Sequence, residues 1–514
     1  MSTLPGFAES YWMDSTPSTS FRWLDRDLAV DVAVVGGGIA GLSTAWELAR
    51  TGRAVAVFEA DRIAAGVTGC TTAKLSALHT LIYARLVDTF GGEAGRTHAQ
   101  CQQAAIEHVV RTVTDLGIDC DLERLPALTW VESAEQRERL EVEAAAARGS
   151  GLAASFVTDT SLPFPIAGAV RVEDQAQFHP RKYLLGLADD LVRRGALLFE
   201  QTRVMGLDEG DPCLLRTEND RTIRAQDVVV ATHYPVFDRA LLFARLKPHR
   251  ELVVACMIAA DRDPRGMFIS PESGTRSVRT APVPDRPGEQ LLIVTGEKFE
   301  PGAGGVVKRY ERLADWTRTR FGAAVMEYRW ATQDNSTTDG LPYVGPFHPG
   351  ARHVYVATGF GGWGMTNGVV AGQLLSAHIT GSGLPPEAEL YDPRRLHPAR
   401  EAGSLLKTQA SVAKHFVGDR LRRSHRDSVS DIPAGSAAVV RVGGERCAVY
   451  RDPSSAVHVV SATCTHLGCL VAFDDAERAW ECPCHGSRFS IDGTVLQGPA
   501  NHPLEPRTIE ERPH

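Results

Sequence analysis

Apolar and polar positions along the 514 residues fall into three regimes. In the first, short apolar runs are joined by stretches whose apolar residues recur at helical spacing, the alternation of buried strand and one-sided helix. The clearest instance is DVAVVGGGIAGLSTAWELARTGRAVAVFEA. It predicts a strand over Val32–Val35, a glycine turn, a helix with Leu42, Ala45 and Leu48 on one face, and a second strand ending at Glu59. Similar signals return in YLLGLADDLVRRGALLFEQTRV, in DVVVATHYPV and in HVYVATGFGGWGMTNGVVAGQLLSAHI, with short strands and turns between them. After Leu384 the chain turns to Pro, Arg and Glu (LPPEAELYDPRRLHPAREAG). Then comes SLLKTQASVAKHFVGDRLRR, in which Leu405, Leu406, Val412, Phe416 and Leu421 form one apolar stripe, as an interdomain arm would. From Asp431 the period shortens to two (AAVVRVGGERCAVYR, AVHVVSA), the mark of a small all-β module.

Composition narrows the setting. A hydrophobic fraction of 43% and a charged fraction of 23% suit a folded multi-domain chain, and a formal net charge of -8 with no basic stripe argues against a nucleic-acid partner. No apolar run approaches the roughly 18 residues that span a bilayer, and the first residues lack a charged start followed by an apolar stretch. Of ten cysteines, Cys70, Cys101, Cys120, Cys213, Cys256 and Cys447 are scattered singly and four cluster near the C-terminus. The expected setting is the cytoplasm, without a membrane span.

The glycine turn, Gly36-Gly37-Gly38-Ile39-Ala40-Gly41, fits G-x-G-x-x-G. Gly36 permits a tight turn out of the strand, Gly38 lets backbone approach a pyrophosphate, Gly41 allows close helix packing, and the helix start offers free N–H groups to phosphate. Glu59, ending the next strand, is placed to accept from a ribose hydroxyl and disfavours a 2′-phosphate. From these residues alone NAD and FAD both remain.

The C-terminal stretch CTHLGCLVAFDDAERAWECPCHGSRFS holds two Cys/His pairs, Cys464 with His466 and Cys482 with His485. Two thiolates and two imidazoles are the donor set that divides a [2Fe–2S] cluster between a sulfur-held and a nitrogen-held iron, a Rieske centre. A structural zinc site takes the same residue types but needs four ligands only, leaving Cys469 and Cys484 without a role.

The first part of the chain, about residues 30–390, resembles the glycine oxidase/D-amino-acid oxidase family of flavoproteins. The resemblance rests on VVGGGIAGLSTAWELA, RIAAGVTGCTTAKLSALH, QFHPRKYLLGLADDLVRRGA, DVVVATHYPV, and TTDGLPYVG with VATGFGGWGMTNG. It implies that Gly36, Gly38, Gly41 and Glu59 hold the ADP half of FAD, that Val204 lies by the adenine and that Thr232 closes over the dinucleotide. It also brings Gly359 to Thr366, with Gly364, Met365 and Thr366 opening a helix, to the flavin end. That helix start carries positive charge suited to an anionic reduced flavin. Thr71, Thr72 and Lys74 fall in the family's flavin-facing loop, which makes Lys74 a catalytic candidate against the alternative of a solvated lysine. His79 is a candidate base against the alternative of a hydrogen-bonded structural histidine. The family's carboxylate-clamping arginine has no counterpart before TTDGLP: Arg329 is well upstream, and Gln333, Asp334 and Asn335 stand nearer. That departure argues against carrying an amino-acid substrate over.

CTHLGC and CPCHGS resemble the Rieske proteins of respiratory bc complexes. The resemblance implies Cys464, His466, Cys482 and His485 as ligands, Cys469–Cys484 as a disulfide tying the cluster loops, and Ser487 as a hydroxyl donor to a cluster sulfur. Where those proteins usually place a tyrosine, this chain has Phe489, so one donor is missing and a lower potential is implied.

The expected fold is α/β: an N-terminal segment (1–29) and an FAD-binding Rossmann-like domain (30–390) with an inserted α+β substrate domain in pieces at about 90–165 and 245–330. A helical linker arm (391–429) and a small all-β Rieske domain (430–512) follow. The expected activity is oxidation of a small organic substrate at a C–N or C–O bond by hydride transfer to FAD, with electrons passing to the cluster and to a one-electron acceptor protein or a quinone. Two alternatives stay open: an NAD(P)H-linked electron-transfer reductase and a non-enzymatic redox sensor.

Overall fold

Val32, Val34 and Val35 are apolar in succession because their strand is covered on both faces. The structure, a computed structural model, describes residues 4–323, 325–396, 403, 406 and 429–508. In its first sheet the strands Tyr343–Pro346, Val354–Thr358, Thr222–Val230, Leu28–Val35, Val55–Phe58 and Leu197–Phe199 lie side by side in that order. All run parallel except the first. A hairpin, Val204–Asp208 with Cys213–Thr217, extends the sheet from Thr222–Val230. Helices Ile39–Arg50 and Gly364–Thr380 pack against each other with almost no side chain between them: a Cβ on Gly372 would lie 2.8 Å from Ser43.

A second sheet of nine strands forms the other layer. Its long strand Leu246–Ala259 pairs antiparallel with Glu289–Phe299 on one side and Tyr328–Thr337 on the other. The sheet continues through Arg276–Pro282, Met267–Ser270, Glu123–Val131 and Gly168–Gln177 to the two-residue strand Lys74–Leu75. It thus draws in segments on either side of the pieces expected at about 90–165 and 245–330, because each edge residue needs a backbone partner that lies elsewhere in the chain. Near the N-terminus Trp12, 1% exposed, donates its indole N–H to the carbonyl of Thr71 at 2.6 Å and anchors that loop.

The C-terminal part is all β, as its period-two pattern predicts. Ser436–Val442, Glu445–Arg451 and Val457–Ser461 form one sheet; Ala472–Asp474, Ala479–Glu481, Arg488–Phe489 and Val495–Gln497 form another. Trp480, Phe489 and Leu504, each fully buried, centre its own core. This module is clamped to the long strand by Arg250, itself 1% exposed, which pairs with Asp474 (2.7 Å), Glu477 (2.9 Å) and Glu481. Asp475 accepts from the N–H of Val306 at 2.9 Å, at the start of helix Val306–Phe321. The helical arm expected over 391–429 lies, apart from residues 391–396, Gly403, Leu406 and Val429, outside the described residues. Among the described residues no helix is long and apolar enough to cross a membrane.

Candidate active site and cluster site

At the end of strand Leu28–Val35 the chain turns on glycines that admit no side chain. Gly36 has φ +111°, and a Cβ there would lie 2.4 Å from the carbonyl oxygen of Ala231; one on Gly41 would lie 1.9 Å from the carbonyl oxygen of Gly36. Gly38 opens helix Ile39–Arg50 without a side-chain cap of its own, and the Ile39 N–H donates to the Thr68 hydroxyl at 3.1 Å. The Glu59 carboxylate accepts from the N–H groups of Gly37 (2.7 Å) and Asp61 (3.0 Å), and burial holds it above the usual carboxylate range. A cavity of about 420 Å³ starts at this turn, and Gly36, Gly38, Glu59, Val204, Thr232, Gly364 and Met365 all border it. Gly41, Gly359 and Thr366 do not: Gly359 (φ +75°) abuts Thr337, and the Thr366 hydroxyl turns inward to the Ser76 carbonyl at 3.3 Å. A trough with a glycine turn, a helix start and a carboxylate at one end and a second helix start at the other fits a dinucleotide such as FAD.

A second cavity of about 280 Å³ shares Thr71, Thr72, Glu251, Thr295, Gly362 and Met365 with the first, so the two adjoin. Lys74 borders it, with Nζ in contact with the Ser277 hydroxyl. Burial, and then the nearby Arg279 guanidinium, push the Lys74 amine down to about 7. Glu251, raised by burial, stands 4.0 Å from Lys298 across the same space. Arg329 borders neither cavity and points to the backbone of Gly6.

Lys298, Glu251 and Ser277 carry no short-range motif; only the fold of the second sheet brings them to Lys74. His79 borders neither cavity, its Nε2 lies 2.7 Å from the Ser76 carbonyl, its ring stacks on Trp363 at 4.6 Å, and burial pushes it down to about 3.

The cluster loops are two turns of the same build. Gly468 N–H donates to the Cys464 carbonyl (3.0 Å) and Cys464 N–H to Cys469; Gly486 N–H donates to Cys482 (2.9 Å) and Cys482 N–H to Ser487. A disulfide joins Cys469 to Cys484 across them. The Cys464 and Cys482 thiols face each other, and that contact holds Cys464 down to about 7. The rings of His466 and His485 stand 4.9 Å apart at 90°. Among the described residues Nδ1 of His466 and both ring nitrogens of His485 are buried without a hydrogen-bond partner. The sulfurs of Cys469, Cys482 and Cys484 also cluster within 4.8 Å, but the disulfide leaves Cys482 as the one thiolate donor among them. Two facing thiols and two imidazoles with orphaned nitrogens fit a [2Fe–2S] cluster of Rieske type. Ser487 lies beside Cys464, its hydroxyl also accepting from Ala500 N–H at 3.0 Å, and Phe489 is buried in the core without a hydroxyl to offer.

The histidine side of these loops faces the first domain. Tyr234 stands edge-on to His485 at 5.9 Å and to His466 at 6.4 Å, and Phe243 edge-on to His485 at 6.1 Å. Arg488 and Gly498 of the C-terminal module complete the wall of the first cavity.

A dinucleotide trough, a small polar chamber adjoining it and a Cys/His site against its wall define an oxidoreductase carrying a flavin and an iron–sulfur centre. The chain belongs to the FAD dependent oxidoreductase family, whose model matches residues 31–378, and carries a Rieske [2Fe-2S] domain over residues 425–508. It is similar along nearly its whole length to the putative Rieske 2Fe-2S iron-sulfur protein YhfW of Bacillus subtilis, 33% identical with 97% of each chain covered. Over 15% of this chain and 41% of the relative it is 40% identical to the cytochrome b6-f complex iron-sulfur subunit of Chlorobaculum tepidum. Among solved structures, glycine oxidase from Geobacillus kaustophilus shares the fold, with TM-score 0.61 and 21% identity, covering 72% of this chain and 100% of that one. L-proline dehydrogenase from P. horikoshii does so with TM-score 0.58 and 17% identity, covering 72% and 98%.

Proposed function

We propose that the chain oxidises a small organic substrate at a C–N or C–O bond by hydride transfer to FAD and passes the electrons to its Rieske cluster, then to an external acceptor, a protein or a quinone. The observation that carries this is a shared wall: Gln333 borders the dinucleotide cavity and its side-chain amide reaches the Gly486 carbonyl, beside His485, at 3.1 Å. FAD, when bound, supplies two-electron oxidation with release of single electrons, and a Rieske centre exchanges them one at a time.

The chain's own residues supply placement and proton handling. Gly36, its N–H held by the Phe58 carbonyl at 2.9 Å, makes the turn that lets the backbone at Gly38 approach a pyrophosphate, and Glu59 offers a carboxylate acceptor at the ribose position. Cys464, Cys482, His466 and His485 are the cluster donors, with Ser487 as hydroxyl donor to a sulfur. In the 280 Å³ chamber Lys74 Nζ, a free amine above about pH 7, takes the proton that a substrate N–H or O–H gives up as its carbon loses hydride. Glu251 and Lys298 give the chamber one group of each sign with which to orient a small polar substrate.

An anaerobic screen tests the reading: small amines, hydroxy acids, NADH and NADPH are mixed with the purified protein and flavin bleaching is followed. Bleaching by a small amine or hydroxy acid is expected. Rapid bleaching by NADH or NADPH alone would replace this reading with a nicotinamide-linked reductase.

A further inference from the structure

His466 and His485 face different partners, although their loops are built alike. Nε2 of His466 lies 3.2 Å from Oδ1 of Asp238, whereas His485 meets only the ring edges of Tyr234, Phe243 and His466. An ionised carboxylate only accepts, so Nε2 of His466 carries the hydrogen and the lone pair falls on Nδ1, the nitrogen that is buried and without a partner. Asp238 therefore fixes the tautomer that leaves Nδ1 of His466 as the donor nitrogen. It belongs to the first domain, between strands Thr222–Val230 and Leu246–Ala259, while His466 belongs to the C-terminal module.

We propose that Asp238 is a positioning residue that lowers the reduction potential of the cluster from across the domain interface, so that the potential depends on the docking of the two domains. This rests on the assignment of Cys464, His466, Cys482 and His485 as the cluster donors. A carboxylate hydrogen-bonded to a ligating imidazole raises ligand basicity and adds negative charge, and both favour the oxidised centre. The His466 side chain is 6% exposed and that of Asp238 44%, so water screens part of the charge and the shift is modest. The same exposure means that replacing Asp238 removes little packing.

The test is a redox titration of the full-length chain, followed by the low-temperature electron paramagnetic resonance signal of the reduced centre. Asp238→Asn is expected to show an intact signal with its midpoint shifted upward, and Asp238→Glu a midpoint close to the unmodified chain. An Asp238→Asn midpoint equal to that of the unmodified chain overturns the proposal. Should Asp238→Asn hold no cluster, Asp238→Ser is read in its place; loss of the signal there too overturns it, since Asp238 would be retaining the centre rather than tuning it. Absence of any Rieske signal from the unmodified chain would sink the ligand assignment itself, an outcome distinct from a signal with an unmoved midpoint.

Discussion

Gln333 and Gly486 belong to different domains and meet through one hydrogen bond, the Gln333 side-chain amide donating to the Gly486 carbonyl at 3.1 Å. Gly486 has φ +78°, and a Cβ there would lie 2.4 Å from Gln333 Nε2. The contact therefore requires glycine on one side and an extended amide on the other, between a cavity wall and a cluster loop.

Gly486→Ala is expected to cost about 1–3 kcal/mol from left-handed backbone strain alone, and to push Gln333 aside. Stopped-flow absorbance should show substrate reducing the flavin at its usual rate while subsequent electron arrival at the cluster slows. Equal slowing of both phases would mean that the strain spreads into the flavin cavity.

Arg250 is surrounded by Asp474, Glu477 and Glu481, all from the C-terminal module. Arg250→Met leaves the buried Asp474 without its cation and Glu477 and Glu481 with Arg488 alone, and should destabilise the chain by about 3–5 kcal/mol, read as a fall in the denaturant midpoint. Adding Asp474→Asn and Glu481→Gln should recover much of the loss, since the cost lies in stranded charge rather than lost packing. A triple variant as unstable as Arg250→Met would refute that account.

Burial puts the Lys74 amine at about 7 in the folded chain, below its ordinary 10.5. As pH rises through about 7 the folded chain loses this proton while the unfolded chain keeps it up to its ordinary value. Lys74 therefore opposes folding most below pH 7, and its contribution turns more favourable between pH 7 and 10.5. If the free amine takes the substrate proton, flavin reduction should rise across the same pH 7. Lys74→Met should remove that inflection and slow reduction by about 10²–10⁴-fold. An unchanged pH profile in the variant would exclude Lys74 as the proton acceptor.

How much of this was legible in the sequence follows from the range of each interaction. The turn at Gly36–Gly41 and its answering Glu59 are local, one strand–helix–strand unit, and the cavity begins where they place it. The cysteine and histidine pairs are local as well, each inside one turn. Lys74 could be picked out from its loop, but Glu251, Ser277 and Lys298 become its neighbours only when strands about 170 to 220 positions later in the chain pair into one sheet. His79 shows the converse limit: residue type suggests a base, but its neighbours, the Ser76 carbonyl and the Trp363 ring, are set by the fold and carry no sequence signal. Asp238, Tyr234 and Arg250 act across a domain interface, which leaves no periodic or spacing signature.

Gly38 borders the dinucleotide cavity, with Thr68 Oγ1 the nearest atom, 3.1 Å from where a Cβ would lie. Gly38→Val should block backbone approach to a pyrophosphate and yield protein without flavin colour. The Cys469–Cys484 loops have their own core, so the iron signal, about two irons per chain, should survive. Flavin retention by Gly38→Val would move the cofactor elsewhere.

The order of electron flow is tested by His485→Ala. His485 is 2% exposed, enclosed by Tyr234 and Phe243, and both its nitrogens lack a hydrogen-bond partner among the described residues, so its removal takes away a proposed donor without breaking a described hydrogen bond. The Rieske signal should be lost. The trough at Gly36–Gly38 and the chamber at Lys74 draw none of their described lining from His485, so substrate should still reduce the flavin in a single anaerobic turnover at an unchanged rate. Multiple turnover with a one-electron acceptor should fall sharply, because the wall at Gln333 then leads to a module that cannot take electrons. If a folded, FAD-loaded His485→Ala protein failed to reduce its flavin with substrate, the cluster would stand upstream of the flavin or brace the chamber, and the order from substrate to flavin to cluster would have to be reversed or abandoned.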